Sequence, residues 1–62
     1  MYTKGDILEV PTGWDIEILD PDGDVIVTLN YIMTPGQRFT PYVEQILHEK
    51  ADGLLTHLNR GS

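Results

Sequence analysis

The spacing of hydrophobic and polar residues changes once along this chain. From Asp6 to Met33 the two kinds alternate with period two, and from Thr40 to Leu58 apolar residues return every three or four positions. The first spacing predicts strands and the second a helix, because side chains alternate faces along a strand and realign after about 3.6 residues in a helix.

The strand region divides at two turn signals. Asp6-Ile7-Leu8-Glu9-Val10 ends at Pro11-Thr12-Gly13. Trp14 to Leu19 is apolar at even positions and acidic at 15 and 17, and it ends at Asp20-Pro21-Asp22-Gly23-Asp24. These are turn residues for separate reasons: Pro presets φ, Gly accepts positive φ, and Asp bonds its own backbone. Val25 to Met33 is dense in β-branched residues, which suit a pleated surface. An even-numbered loop (Asp22-Gly23 or Pro21 to Asp24) puts Asp20 opposite or in line with Val25. It then pairs Ile18 with Val27, Ile16 with Leu29 and Trp14 with Tyr31. The other face pairs Glu17 with Thr28 and Asp15 with Asn30, so one face is apolar and the other polar. A three-residue loop with a Gly23 bulge would set Glu17 opposite Val27 and Asp15 opposite Leu29, so the even loop is expected. Leu19 with Ile26, joined by Ile7 and Ile32, are the apolar exceptions on the polar face.

Residues 34–39 read as a linker. Thr40-Pro41 is a helix start, a hydroxyl cap followed by Pro at the first helical position. Val43, Ile46, Leu47, Lys50, Ala51, Leu54, Leu55 and Leu58 keep one stripe for about five turns. Gly53 predicts a kink or a close approach to the sheet, and Asn59-Arg60-Gly61 a C-cap. The expected fold is therefore α+β: a three-stranded antiparallel meander (6–33), a linker (34–39) and one C-terminal helix (40–60) packed on one face, in a single small domain, 1–62. The candidate core is Leu8, Val10, Trp14, Ile16, Ile18, Val27, Leu29, Tyr31, Ile46, Leu47, Leu54 and Leu58.

Composition narrows the functional classes. The 62 residues include no Cys, which excludes disulfide staples and thiolate zinc sites and favours a reducing, cytoplasmic setting. No run of about 18 apolar residues predicts a membrane span, and the first ten residues do not read as a signal peptide. Packing alone must hold so short a chain, so a homodimer or a completing partner is a reasonable expectation.

Candidate catalytic chemistry is sparse. The Asp20–Asp24 run misplaces the Gly and Glu of a calcium loop. His48-Glu49-Lys50-Ala51-Asp52 echoes the zinc-protease pattern but has Asp for the second His and lacks a third ligand. Ser62 is the single Ser, no triad can be assembled, and the six glycines stand singly, so no phosphate-cradling loop is predicted. Neither an enzyme nor a cofactor or metal site is expected.

Charge carries the strongest functional signal. Ten acidic residues face four basic ones, for a net charge of −6. Residues 1–35 hold seven of the ten acids and only Lys4, whereas residues 36–62 balance three against three. Such a surface repels phosphates, so direct nucleic-acid binding is not expected. It attracts basic surfaces on other proteins, at the extreme by mimicking a phosphate row. The expected function is a non-catalytic protein-interaction module, an inhibitor or adaptor, with Asp15, Glu17, Asp20, Asp22 and Asp24 meeting a basic partner. In size and charge alone the chain is similar to small inhibitors encoded by phages and mobile elements. The alternative is a structural subunit that forms a homo-oligomer through Ile7, Leu19, Ile26 and Ile32.

Overall fold

The computed structural model describes residues 1–61. Strands β1 (Thr3–Val10), β2 (Gly13–Leu19) and β3 (Val25–Ile32) form one antiparallel sheet in the order β1-β2-β3, and helix α1 (Pro41–Arg60) follows. This is the β-β-β-α arrangement that the spacing predicts. β1 begins at Thr3, three residues before Asp6.

The helix starts where Thr40-Pro41 places it. The Thr40 hydroxyl accepts the Val43 N–H at 3.4 Å, and the Thr40 carbonyl accepts the Glu44 N–H at 3.0 Å. The hydroxyl contact satisfies a donor that a helix's first turn leaves without a partner, and the carbonyl contact is the first regular bond of the helix. Val43, Leu47 and Ala51 bury completely against Trp14, Ile16 and Ile18 of β2. Ile7, Leu29, Tyr31, Leu54, Leu55 and Leu58 pack around that centre at partial exposure. The helix runs unbroken through Gly53, which makes no close approach to the sheet: nothing lies within 4 Å of where its Cβ would stand. Gly61 ends the helix at φ −84, outside the left-handed region of a glycine C-cap.

β2 and β3 pair as expected: Trp14 with Tyr31, Asp15 with Asn30, Ile16 with Leu29, Glu17 with Thr28 and Ile18 with Val27. The loop that achieves this is the odd one. Gly23 N–H donates to the Asp20 carbonyl at 3.0 Å, Gly23 takes φ +88, and Asp20 N–H donates to the Asp24 carbonyl at 2.9 Å. Asp24, rather than Val25, therefore stands opposite Asp20, and Leu19 pairs with Val25 instead of Ile26. An irregularity between Ile18 and Leu19 then restores the register. A three-residue loop shifts parity by one, a β-bulge shifts it back, and the apolar face survives.

β1 departs from the expected faces. The two-residue turn Pro11-Thr12 pairs Val10 with Gly13, and this sets Glu9 opposite Trp14, Leu8 opposite Asp15 and Ile7 opposite Ile16. Paired residues share a face, so Ile7 belongs to the core side, and Leu8 and Val10 belong to the outer side, Leu8 at 43% exposure. A second bulge, in which Gly5 and Asp6 both oppose Glu17, then brings Lys4 opposite Ile18 on the helix side. Val27 lies on the helix side yet remains 38% exposed on the edge strand, whereas its partner Ile18 on the central strand is fully buried. Ile46 is half-buried.

Candidate functional site

The outer sheet face, opposite the helix, is built from the odd positions of β2 and their partners. Asp15 and Glu17 lie there, roughly 6.6 Å apart by strand rise, while Trp14, Ile16 and Ile18 point to the helix. Both carboxylates are half-buried and held in place. Asp15 Oδ1 accepts from Asn30 Nδ2 at 2.7 Å, and Glu17 Oε1 accepts from the Asp6 N–H at 3.0 Å. The second bond occupies an amide within the β1 bulge, so Glu17 supports the fold as well as the surface charge.

The remaining candidates sit in the β2–β3 turn, and their roles differ. Asp20 Oδ1 accepts from both the Asp22 and Asp24 N–H groups at 2.9 Å, so this carboxylate is part of the turn. Asp22 and Asp24 are exposed. On the outer face Leu19, an apolar residue, stands between Glu17 and the turn.

The signal that sequence reasoning missed is the direction of Lys4. It is the sole cation in residues 1–35, and the β1 bulge turns it to the helix side, where Nζ lies 2.9 Å from Asp52 Oδ1. The outward-facing strand positions, among them Leu8, Val10, Asp15, Glu17, Leu19, Thr28, Asn30 and Ile32, therefore include no Lys or Arg.

The apolar set offered as an oligomer contact, Ile7, Leu19, Ile26 and Ile32, is dispersed. Ile7 is on the core side. Ile32, 74% exposed, faces Gly13 at one end of the sheet, while Leu19 and Ile26 lie at the other. The ends are about 20 Å apart at the usual strand rise.

At the Gly13 end the linker folds back over the sheet. Thr34 to Gln37 form a turn closed by Gln37 N–H to the Thr34 carbonyl at 3.0 Å. Gln37 Nε2 donates to the Tyr31 hydroxyl at 3.0 Å, and Phe39 packs edge-on against Trp14, centroids 5.5 Å apart. This leaves an open cleft of about 480 Å³ beside Glu9, Trp14, Met33, Arg38 and Phe39. The cleft contains no nucleophile paired with a base.

The helix row Glu44, His48, Asp52 does not converge. His48 Nε2 is 4.0 Å from Glu44, Asp52 pairs with Lys4, and His48 Nδ1 is buried without a hydrogen-bond partner. No group of three or more potential metal ligands gathers among the described residues. No described helix is long and apolar enough to cross a membrane. No family model, curated protein or solved structure matches this chain.

Proposed function

We propose that the chain is a non-catalytic interaction module, an inhibitor or adaptor whose outer sheet face and β2–β3 turn dock on a basic surface of another protein. One observation carries this reading: the single cation of the sheet half is drawn to the helix side by its ion pair with Asp52, which leaves the outer carboxylates uncompensated. Asp15 and Glu17 are already oriented by hydrogen bonds, so less side-chain entropy is lost when a partner's Arg or Lys approaches. Charge of one sign over such a surface speeds encounter more than it deepens affinity. Surfaces that normally hold nucleic acid are the chemically matched class of partner.

The structure also shows how to neutralise the face without breaking it. Asp15→Asn, Glu17→Gln, Asp22→Asn and Asp24→Asn keep the carbonyl acceptors and remove four charges, and Asp20 is left to hold the turn. Capture from native lysate at low salt should yield a basic protein that the neutralised variant fails to retain. Association measured with that protein should slow by about tenfold or more and lose most of its salt dependence. Equal retention by both forms at every salt concentration would refute the proposal.

A further inference from the structure

The two edges of the sheet are unlike. β1 carries Lys4, Asp6 and Glu9 and is interrupted by the Gly5–Asp6 bulge. Charges and bulges are the devices by which edge strands avoid pairing with other chains. β3, Val-Ile-Val-Thr-Leu-Asn-Tyr-Ile, contains no charged residue, no Pro and no Gly. Val25, Ile26, Val27, Ile32 and the adjacent Met33 are all exposed along it.

The hydrogen-bond phase of this edge follows from one contact. Met33 N–H donates to the Thr12 carbonyl at 2.9 Å, and bonding alternates along an antiparallel ladder. Leu29 and Tyr31 therefore address β2, while Thr28, Asn30 and Ile32 turn their N–H and C=O groups to the open side.

We infer that β3 pairs with β3 of a second copy, antiparallel about a two-fold axis at Leu29, to make a six-stranded sheet. In this register Thr28 stands opposite Asn30 of the second copy, Val27 opposite Tyr31, and the Ile26 region opposite Ile32. Facing residues share a sheet face, and Thr28 and Asn30 form the hydrogen-bonded pairs. The uncovered helix-side flank of Val27 is closed by an aromatic neighbour, a favourable cross-strand pair. Charge selects a second copy in this orientation. The two-fold sets the acidic turns roughly 40 Å apart along the strand direction, far beyond a Debye length of about 8 Å. It also brings each Asp20–Asp24 turn toward the other copy's linker, which carries Arg38. A parallel arrangement would set the two acidic turns side by side. This pairing does not depend on the anionic face, which remains on the outer side of both copies.

Sedimentation of the intact chain across a concentration series should show a species of twice the 7.0 kDa chain mass. Amide exchange followed in the same series should show the Thr28, Asn30 and Ile32 amides becoming protected as concentration rises. Ile26→Lys combined with Ile32→Lys opposes like charges at two symmetry-related places and should weaken association about tenfold or more. Ile26→Lys combined with Ile32→Glu should restore it, and circular dichroism checks that each variant is folded. A native chain that stays at 7.0 kDa up to millimolar concentration overturns the inference. A dimer in which those three amides exchange freely, independent of concentration, overturns it equally, because the copies then meet elsewhere. The amide measurement needs no variant and decides the matter even if the lysine forms fail to fold.

Discussion

The two hairpin turns set strand register by opposite means. Pro11-Thr12 is as short as a hairpin loop can be, and it works through one glycine. Gly13 is buried at φ +150, and a Cβ there would lie 1.9 Å from the Tyr31 carbonyl oxygen. The Asp20–Asp24 turn is longer, exposed, and works through a side chain: Asp20 gathers two backbone N–H groups, and a bulge absorbs the odd residue. The first turn has no slack and no charge. The second has slack, and Asp22 and Asp24 are left over for other work.

This contrast can be broken at its stiff end first. Gly13→Ala adds a methyl group against backbone at a dihedral that favours Gly, so a loss of about 3 kcal/mol is expected. That is a large part of what a domain of this size has available. A urea midpoint that moves only slightly would show that the β1–β2 turn can rearrange. The pliable end should respond less. Asp20→Ala removes the acceptor of two exposed hydrogen bonds and should cost about 1 kcal/mol, while Asp20→Asn keeps an acceptor and should stay within about 0.5 kcal/mol of native. Equal losses for the Ala and Asn forms would mean that charge, not hydrogen bonding, holds the turn. The smallest effect sharpens the comparison by its sign. Gly53 lies in an exposed helix position with open space around its Cα, so Gly53→Ala should stabilise by up to about 1 kcal/mol. Thermal unfolding should then rise by about 4–8 °C per kcal/mol. Alanine thus destabilises at one glycine and stabilises at another, according to what surrounds each.

How far the amino-acid pattern reached depends on which residues carried it. Trp14, Ile16 and Ile18 alternate with Asp15 and Glu17, and that alternation alone assigned the faces of β2 and its partners on β3. Thr40-Pro41 marked the helix start because capping chemistry is local. β1 was not legible. Leu8 and Val10 look inward-facing in isolation, but the two-residue turn fixes parity from outside the strand and places Ile7 inward instead. The odd loop misled for a related reason, because its compensating bulge lies in Val25-Ile26, where no Gly or Pro announces it. The acidic positions could be enumerated from sequence, but their roles could not. Those roles arise only in the folded chain, where Glu17 bonds the bulge amide, Asp20 is committed to the turn and Lys4 is drawn to Asp52. Phe39 sat in a stretch that read as a linker, and an aromatic residue beside Gln37 and Arg38 was the available hint of its return to Trp14.

The order of the elements along the chain has a consequence for synthesis. Ile16 and Ile18 owe their complete burial to Val43, Leu47 and Ala51, and Tyr2 is tied to Asn59 by bonds of 2.8 and 3.2 Å across 57 positions. A ribosome makes the three strands first, so their greasy side has no cover until residues 41–60 have emerged. During that interval the nascent sheet is exposed to whatever binds unfinished chains, and its survival depends on how quickly translation delivers the helix.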